Sequence, residues 1–312
     1  MAEVILFGEP MAMFVAMTEE PLSEVTDFTR MLAGAEVNVA IGLRRLGHSA
    51  AYVTKLGRDP FGEYIEGKLK AEGIETQIAY DSEHFTGFQL KSKVSKGDSE
   101  VFYFRKNSAA SFMTEADIEK LDMTGAKLLH ITGIPPALSR DCRNATYRLI
   151  ERAKDEGMYI TFDPNLRPSL WESRTTMIRT INHLSSMADI VLPGTGEGKM
   201  LMGSGEPAEI AAFYRNLGAK AVIVKDGANG AYIDTDGIRE SFLGYPVEKV
   251  VDTVGAGDGF AVGIISAILE ELSIEEMISR GNAIGSMQVS VKGDNEGLPT
   301  REKLEAFLLH RD

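Results

Sequence analysis

Cysteine is almost absent. Cys142 is the only one in 312 residues, so no intrachain disulfide is possible, and the composition fits a reducing cytoplasm. It sits in the polar stretch Arg140-Asp141-Cys142-Arg143, which gives it no nucleophile context. No apolar run approaches the ~20 residues of a membrane span. Met1-Ala2-Glu3 runs straight into Val4-Ile5-Leu6-Phe7, without the pattern of a signal peptide. A long basic run is missing as well, and the net charge is −13. Nucleic-acid backbones need a positive face, so a nucleic-acid partner is not expected. A small anionic substrate is not excluded, because a few local Arg and Lys residues outweigh a global field.

Several catalytic signatures are missing too. There is no GxxxxGK[ST] loop, and no GxGxxG opens the first helix, so any nucleotide site uses another device. The five histidines are scattered without zinc spacing, and no GxSxG elbow occurs. His130 lies on an apolar strand and reads as a packed core residue rather than a ligand.

Glycine, by contrast, is plentiful. Its 31 copies exceed the usual share of roughly 7% and point to tight turns and close backbone approaches. Hydrophobic content of 44% and charged content of 25% are those of a globular protein. Val4-Ile5-Leu6-Phe7 reads as a buried strand stopped by Gly8 and Pro10. Met11–Leu32 lacks helical periodicity and reads as a pair of short strands standing off the body. Gly34-Ala35-Glu36-Val37-Asn38 opens a helix that ends at Leu46-Gly47. Asn38, in its first turns, reads either as a cap or as a partner for a sugar hydroxyl. A strand at Ala51–Leu56 and a helix from Glu63 to Glu72 follow.

Thr76–Phe104 reads as a second set of strands outside the main sheet, with Lys96-Gly97-Asp98-Ser99 as a hairpin turn. Tyr103, Arg105 and Lys106 then bring an aromatic and two cations together, at a site or at a solvated strand edge. After Asp122 strands and helices alternate. The strand Tyr159–Asp163 is followed by Pro164-Asn165-Leu166-Arg167, where strand-end residues of open α/β sheets meet ligands. This order, without linker or repeat, predicts one doubly wound α/β domain over residues 1–312 with a small β excursion.

The chemistry centres on Asp252-Thr253-Val254-Gly255-Ala256-Gly257-Asp258. Small residues ahead of an apolar helix leave amides bare at its positive end, a place for phosphate or a developing anion. A carboxylate in the same turn suits a base that takes a proton from an attacking hydroxyl. The alternative is an ordinary helix cap.

This stretch resembles the DTxGAGD signature of the ribokinase-like (pfkB) carbohydrate kinases, and Gly34 with Asn38 resembles the earlier glycine-rich signature of that family. Four further pieces resemble the 2-keto-3-deoxygluconate kinases within it: Gly34–Asn38, Val101–Lys106, Asp163–Arg167 with Leu170-Trp171, and Gly293–Gly297. The resemblance implies a ribokinase-like α/β fold, a doubly wound, mostly parallel central sheet flanked by helices. A small β-sheet lid would be inserted at about residues 11–32 and 87–104.

It further implies ATP-dependent phosphorylation of the terminal hydroxyl of that sugar acid. Asp258 would be the base, and the Gly255, Ala256 and Gly257 amides the anion hole. Gly34, Asn38, Gln89, Tyr103, Arg105, Arg167 and Asp294 would line the sugar site. Lys225, Gly227, Gly230 and Asn282, with Gly255 and Gly257, would lie along ATP. Glu197 would help hold Mg²⁺ through water, and Asp252 a monovalent cation such as K⁺.

The chain departs from the family pattern twice. Gly194 stands where NxxE has its asparagine, and Gln89 where related kinases carry tyrosine. Arg105 and Arg167 suit a carboxylate, which a neutral sugar lacks, although either would also suit an ATP phosphate. Two other readings are a kinase of a neutral sugar or nucleoside, and a non-catalytic sensor on a kinase fold. The resemblance also implies a cytoplasmic homodimer paired through its lids.

Overall fold

The structure is a computed structural model that describes residues 1–94 and 99–309. In chain order the strands are β1 (Val4–Phe7), β2 (Met11–Ala16), β3 (Phe28–Ala33), β4 (Ala50–Gly57), β5 (Glu75–Asp81), β6 (Phe88–Lys91) and β7 (Val101–Phe104). They continue with β8 (Leu128–Thr132), β9 (Tyr159–Asp163), β10 (Ile190–Val191), β11 (Ala221–Lys225), β12 (Ala231–Asp234) and β13 (Arg239–Phe242). The helices are α1 (Ala35–Arg45), α2 (Pro60–Ala71), α3 (Glu115–Ile118), α4 (Pro135–Leu138), α5 (Arg140–Asp155) and α6 (Arg174–Met187). The last five are α7 (Thr195–Leu201), α8 (Pro207–Leu217), α9 (Ala256–Leu269), α10 (Ile274–Val289) and α11 (Arg301–Leu309).

The large sheet runs β13-β12-β11-β10-β9-β8-β1-β4-β5, with every neighbouring pair from β11 to β5 parallel. Parallel sheets are covered on both faces, and β1 shows why its four residues are all apolar. Val4 and Leu6 pack into the core beneath α1, α9 and α10, while Ile5 and Phe7 pack into the core beneath α5, α6 and α8. The chain leaves β1 for β4 on one side and reaches β8 on the other. The switch point between β1 and β8 opens a crevice at the carboxyl ends of the strands.

A separate sheet, β3-β2-β6-β7, stands beside the large one. Its outer face is aromatic: Phe61 of α2 lies 5.4 Å from Phe14 and 5.5 Å from Phe88, and Phe88 stacks on Phe104 at 4.7 Å. Because side chains alternate along a strand, Gln89, Lys91 and Tyr103 share the opposite face. The expected run of strands outside the main sheet needs a correction at its start. β5 pairs with β4 as an edge of the large sheet, and a half-covered edge has the same mixed pattern as an excursion strand. The expected turn at Lys96-Gly97-Asp98-Ser99 lies, apart from Ser99, outside the described residues.

Two further local features shape the body. Cys142 is buried on the inward face of α5 despite its polar neighbours, and burial pushes its thiol pKa up. Ser139 caps that helix by accepting the Cys142 amide at 3.0 Å. α9 and α10 meet where both carry glycine: a Cβ on Gly263 would lie 2.5 Å from Gly281 Cα, so only glycine permits this approach. No described helix is long and apolar enough to cross a membrane.

Candidate active site

A cavity of about 880 Å³ opens between the small sheet and the carboxyl ends of the large one. Its walls contain Gly34, Asn38, Gln89, Tyr103, Arg105, Arg167, Asp294, Lys225, Gly227, Gly230, Gly255, Ala256, Gly257, Asp258, Asn282 and Glu197. Of the residues singled out from the sequence, Asp252 is not part of that wall, and Lys106 is exposed outside it. Glu9, Glu36, Asp163 and Asn165 border it as well.

Gly255 sets the entry to α9. It is the N-cap in the left-handed region at φ 78°, and a side chain there would run into the Asp294 carbonyl. The turn therefore aims the first amides of α9 at the cavity and places Asp258 in the first helical turn. Asp258 is buried. Its Oδ2 accepts a hydrogen bond from Asn38 Nδ2 at 2.8 Å, and its Oδ1 accepts one from Asn165 Nδ2 at 3.3 Å. Asn38 is thus not a helix cap: its side chain reaches from α1 to α9. Asn165 is brought over by a left-handed backbone at φ 37°. Burial raises the Asp258 pKa to about 7. The Asn38 bond and the charges of Arg167 and Lys225 pull it down, and the charge of Asp163 adds to the rise.

Lys225, at the end of β11, donates to Asp163 Oδ2 at 2.6 Å. Burial lowers its pKa, but the Asp163 and Glu197 carboxylates outweigh that effect and raise it. Glu197 accepts the Leu166 amide at 2.8 Å and the Gly194 amide at 2.8 Å, so it ties the β9 and β10 loops together. Burial raises its pKa. Gly194 supplies only its backbone here, and the side chain of the family's asparagine has no counterpart at this position.

The two arginines differ. Arg105 is buried against Glu9, with Nε donating to Oε2 at 2.6 Å, and Ser108 also donates to Glu9. Arg167 donates through Nη1 to the Leu166 carbonyl at 2.9 Å and, among the described residues, has no carboxylate within ion-pair distance. The two therefore do not present equal charge to a ligand.

Glu36 of α1 is fully buried and accepts a bond from Thr132. Burial moves its pKa to about 7, and its Oε2 has no protein partner. Asn282 of α10 donates to the Leu243 carbonyl at 3.2 Å, and Gly227 and Gly230 bound a short turn after β11. His130 is a core residue, as expected. It pairs with Thr161 at 2.9 Å, and burial lowers its pKa to about 4.

Among the described residues there is no cluster of three or more His, Cys, Asp or Glu side chains suited to a metal. Asp163 Oδ2 already faces the Lys225 ammonium at 2.6 Å and both Glu197 oxygens accept backbone amides, so these carboxylates suit the waters around a phosphate-held Mg²⁺ rather than direct ligation. At Asp252, where a monovalent cation was expected, both carboxylate oxygens already have partners. Oδ1 accepts the Val254 amide at 3.1 Å, and Oδ2 faces the Lys91 ammonium at 3.3 Å. The Lys91 ammonium already supplies a counter-charge there.

Glu9, Glu36 and Lys91 were not singled out from the sequence. Glu9 follows the first strand at the switch point, and Lys91 is two residues from Gln89 on one strand face. Strand-end and alternation rules give their positions but not their partners.

The chain is 50% identical over 309 residues to the 2-dehydro-3-deoxygluconokinase of Bacillus subtilis (strain 168), covering 98% of this chain and 95% of that one. It is 30% identical over 312 residues to the 2-dehydro-3-deoxygluconokinase of Thermoproteus tenax, covering 99% and 94%. The crystal structure of a PfkB protein from Polaromonas sp. JS666 superposes with a TM-score of 0.90 at 44% identity, covering 98% of this chain and 100% of that one. Residues 1–301 match the family described as pfkB family carbohydrate kinase, and to that family the chain belongs.

Proposed function

We propose that this kinase transfers the γ-phosphoryl group of ATP to the terminal hydroxyl of 2-keto-3-deoxygluconate, the compound also called 2-dehydro-3-deoxygluconate. The observation that carries the substrate class is Arg167, a cation in the cavity wall without a carboxylate of its own. A sugar acid supplies that carboxylate, and a guanidinium fork binds it in two places. The Bacillus subtilis and Thermoproteus tenax relatives are named for the same substrate.

Asp258 takes the proton from the attacking hydroxyl. A base with a pKa near the working pH is ionised often enough to accept it and basic enough to hold it. Asn38 and Asn165 fix both carboxylate oxygens, which limits the angles from which a hydroxyl approaches. The α9 amides at Gly255–Gly257 stabilise charge on the transferring group. Lys225 adds a buried positive charge on the nucleotide side, beside Gly227, Gly230 and Asn282. When bound, Mg²⁺ neutralises charge on the phosphates, and Asp163 and Glu197 would hold it through water. Gln89 and Tyr103 face each other across β6 and β7 and cover the sugar from the small sheet. We read the enzyme as cytoplasmic and as a homodimer paired through that sheet.

A coupled ATP-turnover screen tests the reading. Keto-deoxy sugar acids, fructose, ribose and adenosine are compared at equal concentration. The expected result is a kcat/KM for the sugar acid far above the rest, lost mainly through KM in Arg167→Ala. Preference for fructose, or equal loss of ATP and sugar affinity in that variant, overturns it.

A further inference from the structure

The small sheet and the loops around α9 are joined by one buried cation. Lys91, at the end of β6, is 4% exposed. Its Nζ donates to Asp294 Oδ1 at 3.0 Å and to Asp252 Oδ2 at 3.3 Å. Both carboxylates lie close to the anion-hole turn. Asp252 holds the Val254 amide through its other oxygen, one residue before Gly255. The Asp294 backbone carbonyl packs directly on Gly255. Gln288 closes the same cluster, donating to the Val254 carbonyl at 3.3 Å and to the Gly293 carbonyl at 2.8 Å.

At the other end of the bridge, Gln89 is two residues from Lys91. It lines the cavity from the same strand face. A strand that touches the sugar is thereby tied by charge to the two loops that set Gly255.

We propose that Lys91 is a positioning residue for phosphoryl transfer. Its ammonium serves as the covalently attached cation between Asp252 and Asp294, and so couples the seating of the small sheet over the sugar to the geometry of the α9 amides. The proposal rests on the kinase reading above. It gives Asp252 its counter-charge. It also gives Asp294, which lines the cavity, a partner in this bridge through Oδ1. The carboxylates fit this role: burial disfavours the Lys91 charge, but Asp294 and Asp252 outweigh it and raise the pKa, so the bridge stays charged at neutral pH. Removing the ammonium leaves two facing carboxylates without their counter-charge, which a buried site tolerates poorly.

The test compares wild type, Lys91→Met and Lys91→Arg with the sugar that the wild type phosphorylates best. In Lys91→Met, kcat is expected to fall about 10²-fold, the cost of a small misplacement of reacting groups. KM for ATP changes little, because the nucleotide contacts lie elsewhere. Added butylammonium at fixed ionic strength fills the gap and raises kcat and the melting temperature of Lys91→Met, while leaving the wild type unchanged. Lys91→Arg, which keeps the charge, retains more activity than Lys91→Met.

Wild-type kcat in Lys91→Met overturns the proposal, as does a loss confined to stability or to KM for ATP. Stimulation of the wild type by K⁺ at constant ionic strength also overturns it. If Lys91→Met does not fold, Lys91→Gln takes its place. A lower kcat with unchanged KM for ATP supports positioning, and a wild-type kcat overturns it. A wild type that phosphorylates no sugar sinks the kinase reading instead, whatever butylammonium does to the melting temperature.

Discussion

At the scale of the residue, one carboxyl group decides the chemistry. Replacing Asp258 by asparagine leaves one oxygen to accept from Asn38 or Asn165, turns the other into a donor, and removes the base. Turnover is expected to fall ~10²–10⁴-fold, the usual worth of a general base, with sugar affinity retained in calorimetry. Near-normal turnover would remove Asp258 from the reaction. The group acts when ionised, and burial lifts its pKa to about 7, so kcat/KM should rise with pH up to about that value and then level. Below it the rate falls about tenfold per unit. A flat profile between pH 5 and 8 contradicts that assignment.

Much of this was readable in advance, because Gly255, Gly257 and Asp258 are neighbours in sequence and the motif holds its own geometry. Glu9 and Glu36 were not, for a physical reason. Their partners Arg105 and Thr132 are each 96 positions away, and only folding joins them. Lys91 is further removed still, 161 and 203 positions from its two carboxylates. An isolated Lys in a strand gives no sign of such a bridge.

At the scale of the element, α9 is the part on which the others depend. Its first amides work only if Gly255 enters the helix from the left-handed region. Gly255→Ala adds about 1–2 kcal/mol of backbone cost and a collision with the Asp294 carbonyl. The expected outcome is a lower melting temperature together with a fall in kcat larger than any change in KM for the sugar. An unchanged kcat would show that the amides need no such entry. The alternation of strands and helices expected after Asp122 is what the chain shows from β8 through β11. β5 was assigned to the wrong sheet because one covered face looks alike in either. What sequence patterns omit is which layer an element joins.

At the scale of the whole molecule, the small sheet leaves aromatic surface open. Phe102 is 53% and Phe104 45% exposed on its outer face. Two copies placed sheet to sheet would cover these rings. Phe102→Glu is therefore expected to shift the protein from dimer to monomer in sedimentation velocity, with the fold intact by circular dichroism. A wild type that sediments as a monomer refutes the pairing.

The placement of β1 carries a consequence for the order of synthesis. Val4 pairs with Ala50 on one side and with Leu128 on the other. As the chain leaves the ribosome, its first strand gains one neighbour early and waits for the second until some 124 further residues have been added. Through that interval Val4–Phe7, apolar on both faces, is a bare edge open to any passing strand. A message cut short before Leu128 would release a chain in that state, prone to aggregate, whereas one that extends through β8 has closed the centre of its sheet.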